Sequence, residues 1–199
     1  GARLVVVGFN FRFGKGRAGD VDLLRAEGER CGFETLVLDP HNLEGRRVSS
    51  SEIRRLLLEG DVEEAARRLG QHHVLEGLVV RGDGRGSRIG IPTANVDYPP
   101  VLVPANGVYA CWVRLEGRSS PRLPAVTNVG ERPTFEVSGR DRTVEAHLLE
   151  GGGDLYGRKI RVEFVARLRE ERKFPGPEAL VAQIRLDAEE GRKRLRAAD

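Results

Sequence analysis

Methionine is absent from this chain, even at position 1. The expectation is a chain that starts at a processing boundary or lacks its native beginning. Cysteine is nearly as scarce. Cys31 and Cys111 are the only two and stand far apart, which excludes a disulfide framework and points to a reducing, cytoplasmic setting. No apolar run approaches the roughly 20 residues of a membrane span. Gly1-Ala2-Arg3-Leu4-Val5 enters a strand-like run directly, so neither a leader peptide nor a membrane partner is expected. Lysine is rare as well: of the 33 basic residues four are lysine, an arginine excess that reads as genome composition. The net charge of +3 comes from interspersed signs, which argues against a nucleic-acid partner. What remains is ordinary for a globular protein. Its 199 residues are 39% hydrophobic and 32% charged, enough for one large domain or two small ones.

The chain has two rhythms. Residues 1–73 read as α/β. Leu4-Val5-Val6-Val7 is a buried-strand run, and Asp20 can cap a helix through about Cys31, with Gly32 just past its end. Phe33–Leu38 is a second strand. Ser49-Ser50-Ser51 precede the apolar residues Ile53, Leu56, Leu57 and Leu58 and mark a helix start. Asp61 opens a short helix over Val62–Leu69, ended by Gly70. Residues 74–199 read as β with a closing helix. Leu78–Val80, Val108–Leu115, Ala125–Val129, Thr143–Leu149 and Ile160–Leu168 are strands separated by Gly and Pro. Their spacing suggests a sandwich or closed barrel. Gly176-Pro177 sets up a helix over Glu178–Arg196. Two clear strands are too few for a parallel sheet that is stable alone. The first half is therefore expected to be incomplete and mobile, or completed by another copy of the chain.

The first half offers two anion-binding patterns. Gly14-Lys15-Gly16-Arg17-Ala18-Gly19 fits G-x-G-x-x-G, with Asp39 twenty residues beyond Gly19. That spacing matches a dinucleotide fingerprint, in which glycines admit a pyrophosphate to a helix N-terminus. Five residues, Phe9–Phe13, separate the strand's Gly8 from the loop, whereas the fingerprint runs almost directly into its first glycine. A nicotinamide-type binder thus stays as an alternative, beside a plain turn. The second pattern is Ser49-Ser50-Ser51-Glu52-Ile53-Arg54. Serine hydroxyls and free N–H groups at a helix start suit phosphate oxygens, Arg54 can add a bidentate contact, and simple capping explains the same residues.

The second half carries the strongest signal. Gly82, Gly84, Gly86 and Gly90 fall within nine positions and lead into Ile91-Pro92-Thr93-Ala94-Asn95. Such a loop can curl its backbone around an anion, or simply turn a hairpin. It lacks G-K-[ST], so it is not a Walker loop. Thr93 and Asn95 present hard oxygen ligands suited to Mg²⁺. Further on, Glu145 and His147 lie two apart and share a strand face, the polar one, because Val144, Ala146 and Leu148 take the other. No third ligand makes them a metal pair.

Taken together, these motifs resemble those of the bacterial bifunctional riboflavin kinase/FMN adenylyltransferase (FAD synthetase) family. Phe11–Asp20 followed by Ser49–Arg54 is similar to the later part of its adenylyltransferase module, a Rossmann-like nucleotidyltransferase domain. Gly82–Asn95, then Asn128-x-Gly130-x-Arg132-Pro133-Thr134-Phe135, then Val144–Leu149 resemble its kinase module in the same order. Leu168–Phe174 and Gln183–Asp187 resemble its closing segments. The resemblance implies an α/β remnant over 1–73 and a six-stranded antiparallel Greek-key barrel with a C-terminal helix over 74–199. It implies transfer of the ATP γ-phosphate to the riboflavin 5′-hydroxyl, giving FMN and ADP. Glu145 would be the general base. Thr93 and Asn95 would hold Mg²⁺ and phosphates, with Gly82, Gly84, Gly86, Gly90 and Pro92 around the nucleotide. Arg132, Arg169 and Phe174 are weaker candidates for the flavin. Gly14, Gly16, Arg17, Ser49, Ser50, Ser51 and Arg54 would be the adenylyltransferase remnant. The family's H-x-G-H segment has no counterpart among His41, His72, His73 and His147. Kinase activity without adenylyltransfer is the expectation, with a non-catalytic flavin- or nucleotide-binding module as a further alternative.

Overall fold

A computed structural model describes all residues except 83, 85, 87, 88, 116–119, 132–141, 152 and 199. Packing divides the chain into two compact units, Gly1–Ser49 and Ser50–Asp199. In the first, β1 (Leu4–Gly8) and β2 (Glu34–Leu38) pair in parallel, Val6 opposite Leu36. The crossover is α1 (Val21–Cys31), which begins where Asp20 accepts the Leu23 N–H at 3.0 Å and ends at Gly32 with φ +79°. That backbone N–H is the main reason the Asp20 carboxyl sits below its usual range. The Thr35 hydroxyl donates to the Leu24 carbonyl at 3.4 Å and ties β2 to the helix. Val7 is buried, whereas Leu4, Val6, Leu36 and Leu38 are each about half exposed. Parallel sheets ordinarily bury both faces; here the alternate residues of both strands leave one apolar face open. A small hairpin follows, β3 (Asn42–Leu43) and β4 (Arg46–Arg47). Its two turn residues, Glu44 and Gly45, have φ of +52° and +74°, the left-handed pair that a two-residue turn demands.

The second unit opens with α2 (Ser50–Glu59) and α3 (Val62–Leu69), the latter capped by Asp61 accepting the Glu64 N–H at 3.0 Å. Six antiparallel strands follow: β5 (His73–Val80), β6 (Ala94–Asp97), β7 (Gly107–Leu115), β8 (Arg122–Glu131), β9 (Arg142–Leu148) and β10 (Lys159–Arg169). They close in the order β10-β5-β6-β9-β8-β7, with β7 returning to β10. Closure removes both sheet edges. Two register shifts along β10, at Phe164/Ala166 and Arg167/Arg169, bend it around the barrel. The strand pattern decides what fills the interior. Leu75, Val79, Ala94, Val96, Tyr109, Cys111, Val113, Val129, Val144, Ala146, Val162 and Phe164 form one buried cluster. At its centre the Tyr109 and Phe164 rings meet edge to face at 5.4 Å. Leu56, Leu57, Val62 and Ala65 from α2 and α3 belong to the same cluster. This is why packing places the division at Ser49, upstream of the change in sequence rhythm near Gly70–Val74.

The outer side of β7 carries a second, smaller core. Ala110 and Trp112 pack with Val165, Ala166 and Leu195 under α4 (Pro177–Ala197). Gly176 precedes that helix and Pro177 opens it, as the sequence predicts. Gly191 lets α4 approach Val126. The helix is also held by charge: Asp187, almost wholly buried, accepts from Arg169 Nε at 3.0 Å and Nη2 at 2.7 Å and from Gln183 Nε2 at 2.7 Å. Of the two thiols, Cys111 is buried and pushed up to about 12 by that burial, and Cys31 is exposed at the end of α1.

Candidate active site

The barrel turns one face of three adjacent strands outward with polar residues. Glu145 on β9 stands opposite Asn95 on β6 and opposite Asn128 on β8. Antiparallel partners share a face, so Asn95, Glu145 and Asn128 form a continuous row across the sheet. Their neighbours Ala94, Val144 and Ala146 point into the core, as the alternation in the sequence requires. Thr93, just before β6, donates its hydroxyl to Glu145 Oε2 at 3.4 Å. A hydroxyl, two side-chain amides and a carboxylate thus converge from separate stretches of chain.

Glycines shape the approach to this row. A Cβ on Gly82 would overlap the Asn95 amide, so the loop after β5 touches that side chain only because it has none of its own. Gly86 accepts from Ile91 N–H at 2.8 Å and Ile89 N–H at 3.2 Å, and its Cα lies against the Ile91 carbonyl. Gly84 and Gly90 adopt φ of +67° and +75°, which lets the loop reverse. On the far side, a Cβ on Gly130 would overlap the Glu171 carboxylate and crowd the Asn128 amide. A cavity of about 210 Å³ is lined by Pro92, Thr93 and Ala94 and by Asp154, Leu155 and Tyr156; Thr93 reaches it, whereas Asn95, Glu145 and Asn128 are not among its lining residues.

The structure therefore brings Gly82, Gly86, Pro92, Thr93, Asn95 and Glu145 together. Arg132 lies outside the described residues. Arg169 and Phe174 are also neighbours, the guanidinium 5.6 Å from the ring centroid, and each nitrogen of Arg169 donates within the protein, to Asp187 or to the Glu170 carbonyl. Gly14, Gly16 and Arg17 form a turn in the first unit, all three with positive φ. A bridge between Phe13 and Gly19 closes it, and a side chain on Gly19 would strike the Phe13 ring. The helix after this turn already has a carboxylate, Asp20, on its N-terminal N–H groups, with Arg12 3.1 Å from it. An acidic cap opposes an anion there, which counts against the dinucleotide reading. Ser49 precedes α2, Ser50 and Ser51 form its first turn, and Arg54 lies one turn in. Sequence reasoning passed over Asn128 as a site residue. Its signal was the N-x-G before Arg132, but only the strand register puts it beside Glu145.

Comparison with known proteins identifies the family. The family model described as Riboflavin kinase matches residues 69–195, and one described as FAD synthetase matches residues 1–52. The chain is 39% identical over 187 residues to the bifunctional riboflavin kinase/FMN adenylyltransferase of Pseudomonas fluorescens, covering 94% of this chain and 59% of that protein. It is 40% identical over 185 residues to the protein of the same name from Escherichia coli K12, covering 93% and 58%. The chain thus spans somewhat more than half the length of the curated relatives it matches. A crystal structure described as a macrolide-efflux protein from Streptococcus pneumoniae superposes with a TM-score of 0.81 at 31% identity, covering 96% of this chain and 60% of that one. Among the described residues no helix is long and apolar enough to cross a membrane. With a family match that runs from the end of α3 to the last turn of α4, the chain belongs to the riboflavin kinase family.

Proposed function

We propose that this chain is an ATP-dependent riboflavin kinase, forming FMN and ADP, and that the Asn95–Glu145–Asn128 row with Thr93 is its reacting centre. The observation that carries the reading is the convergence of Thr93 and Glu145 at 3.4 Å beside a glycine loop, within the span matched by the kinase family. Phosphoryl transfer asks for positioning and charge neutralisation more than for covalent help. The Thr93 hydroxyl, the Asn95 amide oxygen and a carboxylate are the hard oxygen donors that Mg²⁺ prefers, so Thr93 and Asn95 would hold it. When bound, that ion neutralises charge on the phosphate oxygens. Glu145 takes the proton of the riboflavin 5′-hydroxyl as that oxygen bonds to the γ-phosphorus. The bond from phosphorus to the bridging oxygen breaks, and ADP leaves with the electron pair. The backbone of Gly82, Gly84, Gly86 and Gly90 approaches the nucleotide where side chains would obstruct it, and Pro92 fixes the entry to Thr93. Arg132 and Phe174 are the proposed flavin-side residues, with Arg169, held by Asp187, supporting the Phe174 ring from behind.

The same reading takes residues 74–199 as the kinase module and residues 1–73 as an adenylyltransferase remnant. In that remnant Gly14, Gly16, Arg17, Ser49–Ser51 and Arg54 keep the family's pattern without completing adenylyltransfer. It also takes the open apolar face of β1 and β2 as a surface for self-association, and the cytoplasm as the working compartment. Incubation with riboflavin, ATP and Mg²⁺, followed by chromatography of the flavins, tests the activity. The expected product is FMN without FAD. Formation of FAD would overturn the loss of adenylyltransfer, and absence of FMN from folded protein would overturn the kinase reading. Glu145→Gln should retain nucleotide and flavin binding and lose about 10²–10⁴-fold in turnover. Parental turnover in that variant would exclude Glu145 as the base. Sedimentation velocity over a hundredfold concentration range checks self-association, and a monomer throughout would remove it.

A further inference from the structure

The backbone ladder between β6 and β9 is very short. It consists of Ala94 opposite Ala146 and Asn95 opposite Glu145. One step further, Thr93 would face His147, but the ladder has ended. Thr93 is thus a site residue beyond the last backbone pairing of its strand. The residue before it, Pro92, has no N–H with which to prolong the pairing. What meets Pro92 is a side chain: His147 Nδ1 lies 2.8 Å from its carbonyl oxygen. That oxygen belongs to the peptide group joining Pro92 to Thr93.

We propose that His147 is a positioning residue for the kinase reaction, fixing Thr93 by donating Nδ1–H to the Pro92 carbonyl in place of the missing ladder bond. The inference rests on the kinase reading above and adds a residue to it. A carbonyl can only accept, so the proton must be on Nδ1. The two residues of the E-x-H pattern then divide the work. Glu145 meets the Thr93 hydroxyl from one side at 3.4 Å, and His147 holds the peptide before it from another. Upstream, the Ile91 N–H is bonded to Gly86 at 2.8 Å. Ile91–Thr93 is therefore pinned once on each side of Pro92. Without the imidazole, the Pro92–Thr93 peptide is free to swing about the end of β6. Displacement by about 1 Å of a group that orients reacting atoms can cost on the order of 10²-fold in rate.

Two measurements test this. In long-range ¹H–¹⁵N spectra of histidine-labelled chain at pH 8, without ligands, His147 should be the Nδ1–H tautomer; the Nε2–H tautomer overturns the proposal. In the FMN-forming assay, His147→Ala should lower kcat by about 10- to 100-fold. His147→Asn places an amide N–H near the same position and should recover turnover to within about threefold, which general loss of structure would not predict. Thr93→Ala and the double variant Thr93→Ala/His147→Ala should be equally slow, because His147 acts through Thr93. Independent, multiplying effects, an Asn variant as slow as the Ala variant, or a His147→Ala at parental rate each overturn the assignment. Parental turnover in Thr93→Ala alone would overturn the site reading and this inference together. A slow Thr93→Ala beside a fast His147→Ala overturns this inference only.

Discussion

The two units solve the same burial problem with unequal success. The barrel closes on itself, so its interior strands bury one face completely and are free to place Asn95, Glu145 and Asn128 on the other. In Gly1–Ser49 the two parallel strands pair only with each other among the described residues, and four of their seven apolar side chains, Leu4, Val6, Leu36 and Leu38, are exposed. Both regions use the same β-forming residues, Val and Leu above all. Local propensity is therefore not the difference; closure is. A sheet that has settled its edges can afford polar chemistry on an exterior face.

The largest test of this contrast is a deletion from each core. Phe164→Ala should cost about 3–5 kcal/mol of unfolding free energy, because Phe164 is fully buried inside the closed barrel. Val7→Ala should cost only about 1–2 kcal/mol. Equal losses in denaturant titrations would abolish the distinction. Next comes hydrogen exchange. The amides of Val5–Val7 and Leu36–Val37 should exchange at least about 10²-fold faster than those of Val126–Val129, as expected where fewer apolar contacts resist opening. Similar protection would mean that the first unit is as cooperative as the barrel.

Two glycines sharpen the contrast between the barrel wall and the polar row on its outside. A Cβ on Gly77 would overlap the Asp97 carbonyl across the β5–β6 pair, which is backbone and cannot swing aside. Gly77→Ala should therefore cost about 1–3 kcal/mol of stability. At Gly82 the added atom meets the Asn95 side chain instead. Gly82→Ala should lower FMN formation about tenfold at an almost unchanged melting temperature, since in the proposed site a displaced Asn95 affects rate more than fold. A melting loss in Gly82→Ala matching that of Gly77→Ala would dissolve the distinction.

The smallest effect concerns pH. Burial is the main influence on His73 and lowers its pKa from 6.5; its bond to the Leu102 carbonyl at 2.9 Å opposes the shift. The unfolded chain thus takes up this proton before the folded one does. The His73 contribution is complete above about pH 6.5 and declines as the pH falls through the folded value. His73→Gln keeps a donor near Leu102 without titrating. Its melting temperature should decline less than the parent's between pH 7 and pH 5, and parallel declines would rule His73 out as a source.

How much of this was legible in the sequence differs element by element. Helix ends were readable because their signals are local: Asp20, Gly32, Asp61, Gly70 and Gly176-Pro177 act within a turn of themselves. Five barrel strands were readable as apolar runs, whereas β6 was not. Ala94–Asp97 has two inward residues and is flanked by prolines, and its strand state comes from β5 and β9 on either side. The face shared by Glu145 and His147 followed from alternation alone. Asn128 beside Glu145 needed the register. The Arg169–Asp187 pair joins a strand end to a helix 18 positions away, a distance at which no periodicity speaks.

With Cys111 buried and its thiol shifted to about 12, a maleimide dye at neutral pH should modify Cys31 alone. The chain's single tryptophan, Trp112, sits beneath α4 in the other unit. The native sequence thus already supplies a donor fluorophore in one unit and an attachment point for an acceptor in the other.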